Sequence, residues 1–380
     1  MRIRLHSSIA DIPEDQWNAL VLNGYPFMRH EFLLAMEAHG CVGAHAGWIP
    51  RHIAVYGDGD RLAGAMPLYE KHNSWGEFVF DHAWADAYHR AGLKYYPKLV
   101  NAIPFTPATG QRLLLPEEQT AAICTRLLDG ARQVMRRGDF SGIHSLFLGE
   151  RDFGLLSTPE TLLRIDCQFH WHNQGYRSFD EFLATLKPKK RKNIRQERRR
   201  VSDAGVRLRR LDGHSASEGD WRDFTRLYHG IYDRKYGAPA FNLAFFLDVA
   251  ARMQDQVVLV LAEQDGDTVA GALMFCDDHT LYGRHWGTDR YVDCLHFEAC
   301  YYQGIDVCIE RGLMRFDPGA QGEHKLARGF MPTETRSLHW IAQDPFRPAI
   351  ANFVDREQRG VRGYMAAAEA HSPYQPAGVT

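Results

Sequence analysis

The sequence predicts an α+β protein built from two copies of one domain, each with helices, an antiparallel hairpin and further strands. The segment HIAVYGDGDRLAGAMPLY (52–69) reads as two strand-like runs joined by Asp58-Gly59-Asp60. VLVLAEQDGDTVAGALMF (258–275) repeats it, with Asp265-Gly266-Asp267 placed 207 residues further on. At the same offset Ala63-Gly64-Ala65 is matched by Ala270-Gly271-Ala272, and the acidic lead-in to Trp17 (PEDQW) resembles that to Trp221 (SEGDW). One such turn can arise by chance; turn, strand and helix together indicate a duplication.

The chain has 380 residues, enough for two domains of roughly 150 residues each. Hydrophobic residues at 45% and charged residues at 24% are globular composition rather than disorder. A net charge of −2 creates no global field for nucleic acid or membrane, so any such partner must meet a local patch. The N-terminus MRIRLHSSIADIPEDQW lacks an apolar signal region, and the longest aliphatic run, 257–262, is too short to span a bilayer. Seven cysteines, odd in number and without Cys-x-x-Cys, predict reduced thiols, a cytoplasmic location and no structural zinc. The expected boundaries are a first domain at 1–165, a second at 166–365, and a tail at 366–380 that is disordered from His371 onward.

Taken in order, 13–22 predicts a short helix with Trp17 and Leu20 inward, and another passes through 32–36. Residues 117–137 form an amphipathic pattern with Ile123, Leu127, Ala131 and Val134 near helical spacing, followed by a buried strand at 145–148. The aromatic run 168–172 reads as a strand entering the second copy. Ser178 with Glu181 is a capping box opening a helix at 179–186, which Pro188 ends or succeeds with another.

The segment KPKKRKNIRQERRR (187–200) holds nine Lys or Arg and one acid. As a helix it turns Ile194 and Val201 inward, flanked by Arg191, Arg195 and Arg198. Like charges this dense repel, which points to an anion nearby, either the phosphates of a nucleotide cofactor or RNA. The alternative is a solvated basic helix facing acids elsewhere. HFEACYYQGIDVCIER (296–311) is a second helix, with Phe297, Tyr301, Ile305 and Cys308 on an apolar stripe and Gly312 as its cap. Before it, 282–287 reads as a glycine-bearing strand bulged toward a site. His285 there is a candidate base, although such histidines are more often satisfied polar groups.

The most unusual stretch is FDPGAQGEHKLARGFMPTETRSLHW (316–340). A strand ending in Phe316-Asp317 runs into a glycine-rich turn and then Glu323-His324-Lys325, which brings acid, base and cation together at a strand end. The alternative for that trio is a salt-bridge network between domains.

Three stretches resemble a known family. KPKKRKNIRQERRRVSDAGV is similar to the basic Asn-Ile-Arg helix of the Fem peptidyltransferases and their relatives. The run from Gly287 through HFEACYYQGIDVCIERGLMRFDPG resembles their helix, glycine, strand and Asp-x-Gly sequence, and Lys325 with Arg328-Gly329-Phe330 resembles the lysine-containing segment that follows. NAIPFTPATGQRLL (101–114), QFHWHNQGY and the 316–340 motif resemble a bacterial branch of N-acyltransferases loosely labelled peptidoglycan biosynthesis or recognition proteins. This implies two tandem GNAT-type domains, with mixed, largely antiparallel sheets flanked by helices. It also implies acyl transfer from an activated donor to an amine, with acyl-coenzyme A favoured. One departure is the absence of an Arg/Gln-x-x-Gly-x-Gly/Ala pyrophosphate loop before residue 296, where Asp289 to Leu295 stand instead. Fem enzymes lack that loop too and use aminoacyl-tRNA, which makes a Fem-like ligase the alternative enzyme. A non-catalytic cell-wall or nucleic-acid binding module is the alternative outside catalysis.

An acceptor amine must lose a proton as it attacks, and Asp317 and Glu323 are the candidate bases, with His324 and His285 behind them. Lys325 is the expected cation at the oxyanion or a donor phosphate, by resemblance to the Fem lysine. Arg328 is expected to grip a carboxylate or phosphate in two-pronged fashion. Arg191, Arg195 and Arg198 are expected to meet donor phosphates or a tRNA arm. Arg112 and Thr106, on the proline- and glycine-rich 101–114 segment, and Trp286 are the candidate contacts to a small amine or peptide acceptor. The plain alternative for 101–114 is a connector. No metal is expected, since nothing in the spacing of His285, His296, Glu323 and His324 recommends a ligand set.

Overall fold

The computed structural model describes residues 1–234, 238–320 and 322–376, the side chain of Asp344 excepted. The chain divides into two units. The first comprises Met1–Cys167 with Glu334–Gly363, and the second Gln168–Thr333 with Tyr364–Thr380. The segment from residue 334, expected in the second domain, therefore folds with the first.

In the first unit the predicted hairpin forms as His52–Tyr56 and Leu62–Met66, and Arg2–His6 adds to its edge, making a three-stranded antiparallel sheet. The remaining strands here neighbour one another in the order Ile49–Pro50, Tyr69–Lys71, Lys98–Asn101, Gly142–Ser145, Met331–Ile341. Lys98–Asn101 and Gly142–Ser145 run parallel, and a parallel pair needs a crossover, supplied by helix Thr120–Arg137. That helix turns Ile123, Leu127 and Ala131 into the core, as its spacing predicts.

The second unit repeats this plan. Its strands neighbour one another in the order Leu162–His172, Arg315–Asp317, Thr280–Thr288, Asp267–Cys276, Val257–Gln264, Arg207–Leu211. The hairpin of the second DGD turn, Val257–Gln264 with Asp267–Cys276, takes Arg207–Leu211 on its edge, just as Arg2–His6 lies beside the first hairpin. Thr280–Thr288 and Arg315–Asp317 are the parallel pair here, bridged by the helical stretch 295–311. Both units thus combine an antiparallel hairpin with one parallel pair across a helix. Trp17 and Trp221, matched in sequence, are both buried on helices, Glu14–Asn18 and Glu218–Arg234.

Helix Glu218–Arg234 lies flush on the sheet of the second unit. A Cβ on Gly287 would meet the backbone at Leu227 and Tyr228 at 2.4 Å, so only glycine allows that approach. The end of the chain corrects one expectation. Residues 371–376 are packed against the second unit rather than disordered: Lys187 N donates to Pro373 O at 2.9 Å, and the Tyr374 hydroxyl donates to Gly329 O at 2.7 Å. Pro373 and Tyr374 offer an apolar surface and a hydroxyl that a polar tail lacks. Residues 377–380 lie outside the described residues.

Candidate active site

The second unit holds the 316–340 motif and its neighbours. Strand Thr280–Thr288 pairs in parallel with Arg315–Asp317 only at Thr280, Leu281 and Tyr282. Beyond that the strands part, with Gly283 lying so close to Pro318 that an added Cβ would stand 3.2 Å from its Cα. On its other edge the same strand carries a bulge. Leu273 faces His285 and Met274 faces Gly283, which leaves Arg284 as the extra residue. A bulge re-aims the side chain it inserts, and Arg284 lines a cavity of about 150 Å³ at the parting of the strands. The predicted bulge in 282–287 is therefore present, and the residue it re-aims is Arg284 rather than His285.

Lys325 also lines this cavity. Two glycines with positive φ, Gly319 at 87° and Gly322 at 110°, let the chain leave Asp317 and enter the short helix Glu323–Arg328. Lys325 is buried, and its Nζ donates to Gly319 O at 2.6 Å. Burial lowers its pKa to about 8, against the opposing pull of Asp317. Asp317 is buried too, and its Oδ1 accepts from Gly319 N at 2.9 Å. Gly319 is thus held through its N–H by the acid and through its carbonyl by the cation. Asp317 Oδ2 has no hydrogen-bond partner among the described residues.

Asp317 Oδ1 lies 3.6 Å from Nε2 of His170, a buried histidine from the QFHWH strand. Burial lowers the His170 pKa to about 4, so the ring is neutral at pH 7. His170 belongs to the site, and only its presence in a family-resembling segment pointed that way.

The far wall comes from the helical stretch 295–311. Its middle, Glu298–Tyr302, is π-helical, a distortion that adds a residue to a turn and recurs at functional sites. Cys300 and Tyr301 line the cavity with His296, which packs edge-on against Trp286 with ring centres 5.3 Å apart. Trp286 and His296 also border an adjoining groove of about 500 Å³ that includes Leu295 and Phe297. Burial lowers the His296 pKa to about 4, leaving a neutral imidazole. Gly312 caps the stretch at φ 68°, as predicted.

The remaining candidates separate into those the fold brings together and those it does not. His285 borders the cavity among the rings of Tyr228 and Phe241, where burial lowers its pKa to about 3. His324 and Glu323 are exposed, the former bonded to the Tyr301 hydroxyl at 2.8 Å. Arg328 does grip a carboxylate with two prongs, and the carboxylate is the protein's own. Its Nη2 and Nε meet Glu197 at 2.7 and 3.1 Å, with the guanidinium carbon 3.4 Å from the Phe297 ring centre.

The basic helix, Pro188–Asp203, buries Ile194 and Val201 as its pattern predicts. Its arginines divide. Arg198 turns inward to Glu298 at 3.0 Å and Asp306 at 2.8 Å and is spent on them. Arg191 and Arg195 border an open groove of about 640 Å³ with Lys192 and Arg199. Arg195 there pairs with Asp180 at 2.8 Å.

Arg112 and Thr106 lie in the first unit. Arg112 is fully buried, with its guanidinium on the carbonyls of Leu146, Gln111 and Ala108, and the Thr106 hydroxyl is on Pro104 O. A guanidinium so engaged braces the 101–114 segment and has little left to offer an acceptor. Among the described residues no three His, Cys, Asp or Glu side chains converge as a metal site, and no helix is long and apolar enough to cross a membrane.

A parallel pair parting beside Arg284 and Lys325, in a duplicated α+β unit, is the architecture that holds the candidate site. The chain belongs to the FemAB_like family, described as peptidoglycan biosynthesis/recognition, whose model matches residues 8–376. In structure it is similar to FemX, with a TM-score of 0.54 at 13% identity, covering 92% of this chain and 100% of that one. It is also similar to the C-terminal domain (DUF2156) of a putative lysylphosphatidylglycerol synthetase from Agrobacterium fabrum, with a TM-score of 0.54 at 9% identity, covering 92% and 97%. A third likeness is L-PGS from Bacillus licheniformis, with a TM-score of 0.51 at 11% identity, covering 81% and 88%. Identities this low establish shared fold. No curated protein matches the chain in sequence. Family and fold together place this chain among Fem-like proteins of peptidoglycan biosynthesis/recognition.

Proposed function

We propose that the protein transfers an acyl or aminoacyl group from an activated donor to an amine, with the donor carbonyl seated beside Lys325. The observation that carries this reading is the small cavity at the parting strands, lined by Arg284 and Lys325. Attack of an amine on an ester or thioester carbonyl develops negative charge on oxygen, and preorganised cations in a buried site stabilise it. The attacking amine must be neutral and must shed a proton. Glu323 and His324 face outward, and burial lowers the pKa of His285 to about 3 and of His296 to about 4, which makes both imidazoles weak proton acceptors. Asp317, buried with one unpartnered oxygen, is left as the proton acceptor.

The donor is the finer question. A diphosphate such as that of coenzyme A is held best by free N–H groups at a helix start. At the start of 295–311 stands Asp293, ion-paired to Arg200 at 3.0 Å, and in the preceding turn Asp289 is paired to Arg226 at 2.6 Å. Carboxylates there compete with phosphate for the same positive end of the helix. That favours an aminoacyl ester, whose nucleic-acid part would meet Arg191, Lys192, Arg195 and Arg199. Acyl-coenzyme A, which the sequence favours, remains the second reading, supported by the 500 Å³ groove that shares Trp286 and His296 with the reaction cavity. For the acceptor, the family description supports an amine-bearing peptide.

Thermal unfolding in parallel with acetyl-coenzyme A, longer acyl-coenzyme A species and bulk aminoacyl-tRNA distinguishes the donors, because a ligand binding only the folded state raises Tm by mass action. A shift with aminoacyl-tRNA alone supports the ester reading. A shift with a coenzyme A thioester overturns that choice of donor. Lys325→Ala that retains full turnover overturns the proposed chemistry itself.

A further inference from the structure

In the first unit, loop 72–81 inverts the usual disposition of a surface loop, which exposes its polar groups and hides its rings. Here the polar side chains point in. Ser74, Glu77 and Asp81 are buried over two fully buried lysines, Lys71 and Lys98. Lys98 Nζ donates to Glu77 Oε2 at 2.7 Å, to Ser74 Oγ at 3.2 Å and to Asp81. The hydroxyls of Ser74 and Tyr95 also donate to Asp81. The carbonyl of Trp75 accepts from Lys71 Nζ at 2.8 Å and from the Trp48 indole at 3.0 Å, so the loop is stapled from below along its length.

The apolar side chains point out. Trp75 is 58% exposed, Phe80 62% and Phe78 37%, the last on a backbone of φ 58° that bulky residues seldom adopt. Beside them runs segment 91–96, whose Tyr95 and Tyr96 bond Asp81 and Ser74 of the loop and whose Leu93 is also exposed. These four make up much of the large apolar surface that the described residues leave exposed. Around them the exposed charges are Arg90 and Lys94 against one acid, Asp86.

We propose that this corner docks the protein on a membrane surface, with Trp75, Phe78, Phe80 and Leu93 entering the headgroup zone of an anionic phospholipid bilayer. Aromatic rings beside cations are the chemistry of that interface, where ring bodies sit among acyl carbons and Arg or Lys meets lipid phosphate. Docking is reversible, because four side chains bury little area beside a spanning helix. The buried lysine–carboxylate cluster holds the rings out before contact, so no ordering cost falls on binding.

The test is co-sedimentation of the full chain with vesicles of phosphatidylcholine alone and of equal parts phosphatidylcholine and phosphatidylglycerol. The expected result is binding to the anionic vesicles that weakens with salt. The triple variant Trp75→Ala/Phe78→Ala/Phe80→Ala should lose binding about tenfold or more, and Arg90→Ala/Lys94→Ala should lose the preference for anionic lipid. All five positions are exposed, and an unchanged melting curve verifies that the variants fold. No sedimentation with either vesicle overturns the proposal, as does a triple variant that binds like the parent. A face that instead drives self-association, seen as dimers abolished by the triple variant without any vesicle binding, overturns it too.

Discussion

Arg328 and Glu197 form a two-pronged ion pair that ties the site's short helix to the basic helix, at 2.7 and 3.1 Å. Arg328 Nε also reaches the Tyr302 hydroxyl at 3.1 Å, and Nη1 donates to His324 O at 2.7 Å. The pair therefore locks the backbone on which Lys325 sits. Removing one partner of a largely buried pair strands the other. Glu197→Ala is expected to cost about 3 kcal/mol or more in denaturant unfolding. Arg328→Lys should recover little, because an ammonium cannot reproduce the fork.

Lys325 carries the pH dependence expected of turnover. With a pKa lowered to about 8, it is a cation below that value and neutral above it. Transition-state stabilisation by its charge is thus present at pH 7 and lost as the pH rises through about 8. Rate measurements from pH 6 to 9.5 should show this alkaline limb in kcat/KM, which reports the free enzyme. Lys325→Ala should lower kcat by roughly 10² to 10³ and abolish the limb.

His144 and His339 of the first unit touch through their Nδ1 atoms at 2.8 Å, fully buried, so one ring donates and the other accepts. Burial lowers the His144 pKa to about 3 and lowers that of His339 still more firmly. A base whose folded pKa is depressed binds protons more readily when unfolded. Stability is complete above about pH 6.5 and falls as the pH drops below it, by about 1.4 kcal/mol per pH unit for each histidine. Amide protection factors in strand Gly142–Ser145, corrected for the intrinsic exchange rate, should fall between pH 6 and 4. His144→Gln/His339→Gln should flatten that acid slope.

Tyr374 ties the chain end to Gly329, the residue that closes the site helix at φ 95°. Tyr374→Phe leaves that buried carbonyl without its hydroxyl donor and should cost about 1 to 3 kcal/mol. Exchange should rise at Phe330, whose N–H reaches back to Lys325 O at 3.3 Å. If the hydroxyl only fills space, exchange there stays unchanged.

Much of the fold was legible because it rests on local pattern. The DGD turns with their Ala-Gly-Ala strands marked two hairpins, the spacing of Ile123, Leu127 and Ala131 marked the crossover helix, and Ile194 with Val201 marked the buried stripe of the basic helix. Side-chain period and turn chemistry act over a few residues, so one sequence carries them. That Asp317 and Lys325 lie close together was legible for a related reason, since a strand end followed by glycines puts them in one loop.

Tertiary structure alone decided which charges the fold itself engages. Arg112, Arg198 and Arg328 look in sequence like any ligand-binding arginine, but each meets acceptors far along the chain, at Leu146, at Glu298 and Asp306, and at Glu197. Arg284 enters the cavity through a bulge set by pairing with a neighbouring strand, and His170 comes to Asp317 from a strand far earlier in the chain. Composition records how many charges a chain has. Whether a charge is desolvated, paired or turned toward a cavity depends on contacts between distant residues, and those exist only once the chain has folded.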